Sequence, residues 1–366
     1  MGNNDFIPAA RRLLLTAAEV QAEGVSRRSF RTLVERGDLR RIRPGYYVAG
    51  DQWRELRIDQ QHVVAILAAQ TAASSPPVFS HRSAATLLGA PVWSSWLARL
   101  AISAQSSKLA PRTHNSPDPL VPHISVTSPN TAPTSRSLVR HRALSVPAVF
   151  LPHSAISCTT LARTAADLAR SEPFVIALAC VDALLHRAFA VGNEVDVASV
   201  QQWRAQVHGT LESAPRAPGN VSLRAILAFA DPGASSPLES VSRLRMLQLG
   251  VEFESQWRVR GREGRWWYVD FWFPSAGMFG ECDGRVKYTD RKMRGDRTVE
   301  EVLYAEKRRQ EWIEGSTRSR GVRWGAMEPS SRESFARMCR DFSIPYLGRP
   351  LPGLDDRVNQ LLLQRL

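Results

Sequence analysis

Cysteine is scarce and scattered in this chain. The four residues Cys158, Cys180, Cys282 and Cys339 form no CxxC pair, which excludes a zinc ribbon and argues against a disulfide framework. Long apolar runs are also missing. No stretch reaches the roughly 20 residues that span a bilayer, and the polar start MGNNDF lacks the basic-then-apolar order of a secretory signal. A cytoplasmic protein with no membrane partner is the expectation. Acidic charge is in deficit, with 35 Asp and Glu against 48 Lys and Arg, for a net charge of +13 and a pI near 10.4. The excess is mostly arginine, whose planar guanidinium suits bidentate contacts to phosphate and guanine, so DNA is the expected partner. At 366 residues, 43% of them hydrophobic, the chain has the makings of two or three ordinary globular domains.

The N-terminal text TAAEVQAEGVSRRSFRTLVERGDLRRIRPGYYVAG is rich in boundary signals. Thr16 and Glu19 form a capping-box pattern and Gly24 is a helix stop; Ser26 caps a second helix that ends near Arg36, before Gly37. LRRIR alternates, Pro44 and Gly45 make a turn and YYV returns, predicting a hairpin. Helix, turn, helix and hairpin is the order of a winged helix-turn-helix over residues 1–52. Its second helix carries Arg27, Arg28 and Arg31 and its wing Arg40, Arg41 and Arg43, the candidate DNA-binding residues. The alternative is a small helical cap with exposed arginines.

Residues 53–220 read as a mostly helical middle region. HVVAILAAQTAA is a buried-helix candidate and SHRSAATLLG a capped one, whereas the Ser- and Pro-rich stretch 105–137 reads as loop or weak strand that joins subdomains without building a core. In TTLARTAADLARSEPFVIALACVDALLHRAFA, Asp167 and Asp182 stand among apolar residues, where capping, arginine pairing or exposure is expected rather than catalysis.

Residues 221–348 carry the chemistry, followed by a tail at 349–366. SPLESVSRLRMLQLG predicts a helix with Ser236 at its cap, Pro237 in its first turn and Gly250 at its end. Strands FESQWRVR, RWWYVDFWF and MFGECDG follow, then a helix opened by the Thr298 and Glu301 capping box, then the strand GVRW. Alternation in RWWYVDFWF puts Trp266, Tyr268, Asp270 and Trp272 on one face. A four-residue turn at 274–277 pairs Phe273 with Met278 and sets Asp270 opposite Glu281, with Asp283 one step further along the same face. Facing carboxylates repel. Two resolutions are open: a divalent cation such as Mg²⁺ held by Asp270 and Glu281, with Glu239 as a further acid and Lys287 or Lys307 beside the attacking water, or a structural network of arginines.

The motifs SPLES, YVDF, ECDGRVKY, AEKRRQEW and VRW resemble the DUF559 family, related to the very-short-patch-repair endonucleases of the PD-(D/E)XK superfamily. GVSRRSFRTLVERGDLRRIRPGYYV, followed by SHRSAATLLG, resembles the winged-helix domain of AbiEi-type antitoxins, and the fusion looks like a common actinobacterial architecture. The resemblance implies a multi-domain α+β protein with a restriction-endonuclease-like C-terminal core. It also implies a Mg²⁺-dependent acid cluster in which Glu239, Asp270 and Glu281 match the catalytic positions. The chain departs from the superfamily in carrying Asp283 two residues after the second acid, where lysine is usual, and Lys287 near the place of a frequent histidine. Two functions follow as expectations: a DNA endonuclease, or an antitoxin-type transcriptional regulator whose nuclease-like domain is catalytically silent. A toxin or another protein partner accompanies either.

Overall fold

The computed structural model describes residues 3–22, 24–104, 120–127, 134–152, 154–261, 264–283, 298–350 and 356–363. Mixed α and β elements divide into two compact units, each built from separated stretches of chain: Met1–Ser94, Pro111–Glu172 and Trp203–Leu223 in the first, and Ser95–Ala110, Pro173–Gln202 and Arg224–Leu366 in the second.

The chain begins with α1 (Asn3–Leu13), β1 (Leu15–Thr16), α2 (Ala17–Ala22), α3 (Arg27–Arg36), β2 (Leu39–Arg43) and β3 (Tyr46–Ala49). The local signals act as expected. Glu19 Oε2 accepts from the Thr16 backbone and hydroxyl, and the Thr16 hydroxyl oxygen accepts from Glu19 N. Ser26 Oγ accepts from Ser29 N, and Gly37 closes α3 in the left-handed conformation at φ 80°. The hairpin forms around Pro44 and Gly45, and the small sheet runs β1-β3-β2. Next come α4 (Gly50–Glu55), α5 (Ile58–Thr71), β4 (Val78–Phe79) and α6 (His81–Leu87), then α7 (Ser95–Ala104) of the second unit. The first unit resumes with β5 (His123–Val126), β6 (Val139–Arg142), β7 (Ala148–Phe150), β8 (Ser157–Thr159) and α8 (Leu161–Ser171).

Its larger sheet has the order β6-β5-β4-β8-β7. One core joins this sheet to the N-terminal segment: Ile7, Ala10 and Val48 pack with Val63, Ile66, Phe79, Ile124, Ile156 and Cys158. Within the 105–137 stretch the weak-strand alternative is the one observed, and the expectation that it builds no core is corrected. Residues 105–119 and 128–133 lie outside the described residues, but between them β5 sits inside the sheet with Ile124 buried. Four strand residues behind Pro119 and Pro122 are too short a run to show a period, and pairing on both edges supplies the stability that propensity does not.

The second unit continues through α9 (Phe174–Phe189) and the short hairpin β9 (Ala190–Val191) and β10 (Glu194–Val195); α10 (Val197–Ser213) and α11 (Asn220–Phe229) are each divided between the units. Then follow α12 (Pro237–Leu249), β11 (Glu254–Arg260), β12 (Trp266–Phe273), β13 (Met278–Cys282), α13 (Val299–Thr317), β14 (Arg320–Trp324), α14 (Arg332–Asp341) and α15 (Asp356–Leu363). Ser236, Pro237 and Gly250 bound α12 as read, and the Thr298–Glu301 capping box opens α13. The sheet runs β11-β12-β13-β14, antiparallel until β14 joins β13 in parallel after the α13 crossover. Leu238, Met246 and Leu249 of α12 share a core with Phe271, Phe273, Met278, Val322 and Trp324, while Ile313 of α13 packs with Val259, Val269 and Phe279.

Asp167 and Asp182 pair with arginine, one of the outcomes anticipated. Asp167 Oδ1 accepts from Arg163 Nε at 2.8 Å. Asp182 Oδ2 accepts from Arg243 Nη1 at 3.0 Å and its Oδ1 from Asp231 N at 2.8 Å. Burial pushes the Asp182 carboxyl up to about 7 against the pull of Arg243.

Candidate nucleic-acid interface and acid cluster

Helix α3 buries none of its own residues and is held to the sheet by Phe30, whose ring meets Tyr47 edge-on at 4.9 Å. That mode of attachment leaves the opposite face to solvent. Arg27, Arg28 and Arg31 on α3 and Arg40 and Arg41 on β2 are exposed. Arg31 reaches Glu35 at 2.8 Å, but the pair is 82% and 60% exposed, so water screens it and the guanidinium remains available to a phosphate. Arg43 differs. Its guanidinium is half-buried at a cavity of about 620 Å³ lined also by Ala69, Val78 and Arg140, and burial lowers its pKa.

In the second unit, β12 and β13 pair Phe273 with Met278 and Phe271 with Gly280, the register read from the sequence, so the next step sets Asp270 across from Glu281. The two carboxylates resolve their conflict with protein donors. Asp270 Oδ2 accepts from Cys282 N at 2.6 Å. Glu281 gives one oxygen to Arg309 Nη1 and the other to Arg323 Nη2 at 2.9 Å. Arg309 also donates to Tyr268 O at 2.5 Å, and Arg323 lies 3.7 Å from Glu306. These groups, with Cys282 and Asp283, line a cavity of about 230 Å³.

Glu239 is buried at the start of α12. Its carboxylate accepts from the Ser235 backbone and hydroxyl, the Ser236 hydroxyl and, at 3.3 Å, Gln256 Nε2. Gln256 lines a second small cavity with Asp270, Tyr268 and His186. The backbone of Asp283 donates to Trp324 O at 2.8 Å. Lys287 lies outside the described residues. Lys307, expected near the acids, instead stands exposed on α13, 3.9 Å from Glu311.

Arginine pairing, the structural alternative read from the sequence, is seen at Glu281. Both oxygens of Glu281 carry guanidinium partners, Glu239 is capped by its own helix start, and among the described residues the acids do not converge as three ligands of one ion. Arg309, Arg323 and Gln256 are the site residues that sequence reasoning missed. One of them had a signal: the parallel register sets Arg323 directly beside Glu281.

No solved structure matches the chain. Two Mycobacterium tuberculosis proteins, Uncharacterized protein MT2308 (strain CDC 1551) and Uncharacterized protein Rv2248 (strain H37Rv), are each 32% identical over 126 residues, 34% of this chain. The matched segment spans 42% of the length of either relative. At the N-terminus, residues 9–50, which include all six candidate DNA-binding arginines, match the family described as "Transcriptional regulator, AbiEi antitoxin".

Proposed function

We propose that the protein is a DNA-binding transcriptional regulator of the antitoxin kind. In this reading α3 enters the major groove, β2 and β3 act as a wing on the backbone, and a toxin or other protein is the natural partner. The observation that carries it is the exposed row Arg27, Arg28, Arg31, Arg40 and Arg41 within the segment that matches a regulator family. In the second unit α12, β11, β12, β13, α13 and β14 follow in the order read from the sequence, and this reading takes them as a nuclease-like core without catalysis. Its acids serve structure in this reading, because arginines occupy the carboxylate that a metal would need.

Phosphate neutralisation by about five arginines implies a loss of roughly 10²- to 10³-fold in affinity between 50 and 200 mM salt. Fluorescence anisotropy with labelled duplexes measures this, and Ala at positions 27, 28 and 31 together should weaken binding at least tenfold without altering the fold. Salt-indifferent binding would end the proposal. Incubating the same protein with plasmid and Mg²⁺, Mn²⁺ or EDTA tests the silence of the acids. Metal-dependent cleavage that vanishes in the Asp270→Ala, Glu281→Ala variant would replace the regulator with a nuclease.

A further inference from the structure

Three histidines from three elements of the first unit converge. The parallel pairing of β5 with β6 sets His123 across from Val139 and His141 across from Ser125, so both imidazoles share one face, with His123 Nδ1 2.9 Å from His141 Nε2. His81, the first residue of α6, stacks on His141 with ring centroids 3.5 Å apart. One nitrogen from each of the three rings lies within 4.8 Å of the others. His81 holds this position at φ 54°, a left-handed conformation costly for most side chains but tolerated by histidine. Beside it lies buried Asp167. Its Oδ1 is bound by Arg163, whereas Oδ2 makes no hydrogen bond and sits 3.6 Å from His81 Nδ1.

Three clustered imidazoles cannot all be protonated. A tetrahedral ion with metal–nitrogen bonds of about 2.05 Å separates its ligand nitrogens by about 3.3 Å. The observed spacings therefore need to open by a few tenths of an ångström at one pair and close by about 1.5 Å at most elsewhere, which is side-chain rotation rather than refolding. A carboxylate next to a ligating histidine is the usual means of fixing its tautomer and orientation.

We propose that His81, His123 and His141 form a tridentate site for a divalent first-row transition ion of the zinc class, with Asp167 orienting His81. The ion cross-links α6, β5 and β6 and so stabilises the unit that carries the exposed arginines. The set is imidazole-only and half open, which suits zinc, copper or nickel better than Mg²⁺.

The test uses the tag-free full-length chain, stripped with EDTA, titrated with Zn²⁺ by calorimetry and with Co²⁺ by absorption. One ion per chain is expected, with a thermal midpoint raised by several degrees and a cobalt spectrum of nitrogen and oxygen ligation. His81→Asn, which retains tolerance of the left-handed backbone, His123→Gln and His141→Gln should each weaken binding at least tenfold, and Asp167→Asn about tenfold. Absence of stoichiometric binding, or affinity unchanged by every histidine substitution, overturns the site. So do thiolate-to-cobalt bands, because the four free cysteines are the competing ligands. If a histidine variant fails to fold, the cobalt spectrum of the unaltered chain decides between the two ligand types.

Discussion

Glu281 is 13% exposed at its side chain and carries two guanidinium partners, so removing one of them leaves a poorly solvated carboxylate half-satisfied. Arg309→Ala should cost about 1–3 kcal/mol in urea unfolding, and Glu281→Gln in the same background should recover part of it; additive costs would show the pair to be uncoupled. His62 offers a pH-dependent counterpart. Burial above all, aided by the charge of Arg82 and opposed by the hydrogen bond to Leu120 O, lowers its pKa to about 3. The unfolded chain therefore binds a proton that the native state refuses as pH falls below about 6.5. Stability is complete above that value and lost beneath it, by about 2 kcal/mol at pH 5. His62→Asn should flatten this slope between pH 7 and pH 5, and an unchanged slope would assign the loss to other groups. The neighbourhood of Asp270 and Glu281 was legible in the sequence because a period of two and a four-residue turn fix register. Arg309 was not, since its reach to Glu281 depends on how a crossover helix packs. The histidine cluster was invisible for the same reason: His81, His123 and His141 stand far apart in the chain and meet only once β5 pairs with β6 and the start of α6 sets His81 against His141.

At the scale of elements, α3 is set by its ends rather than by burial. Ser26→Ala should cost about 1 kcal/mol through the lost bond to Ser29 N. Gly37→Ala should cost a similar amount through its φ of 80° alone, because a Cβ there meets nothing within 4 Å. Both are measurable as shifts in the denaturation midpoint, and a neutral Ser26→Ala would mean that contacts to the hairpin hold the helix instead. Gly280 is the opposite case. A glycine inside a central strand looks wrong on propensity, yet an added Cβ would stand 2.5 Å from the Trp324 ring, which stacks on Phe271 and donates to Ser242 of α12. Gly280→Ala is expected to lose about 1–3 kcal/mol by overpacking. Helix caps and hairpin turns were readable because they are local; β5 was readable only as one of two alternatives, and its place in a core not at all, because a four-residue strand owes its existence to neighbours on both sides.

For the whole molecule, the decisive feature is that each unit is assembled from three separated stretches. The acid-bearing sheet looks in the sequence like a self-contained block from residue 221. The second unit nevertheless includes 173–202, whose Asp182 neutralises buried Arg243. A fragment covering 221–366 should therefore aggregate or unfold at lower temperature than the full chain, and a soluble fragment of equal thermal midpoint would refute this dependence. The same interleaving acts during synthesis. Residues 9–50, the segment bearing the arginines, leave the ribosome ahead of the rest of their core, because Val48 packs against Phe79, Ile156 and Cys158. At the usual 5–20 residues per second, about five to twenty seconds pass between them. Throughout that interval the nascent chain displays an arginine-rich surface and an apolar back with nothing to close it, so a chaperone or a slow-moving ribosome has a window in which to act before the core forms.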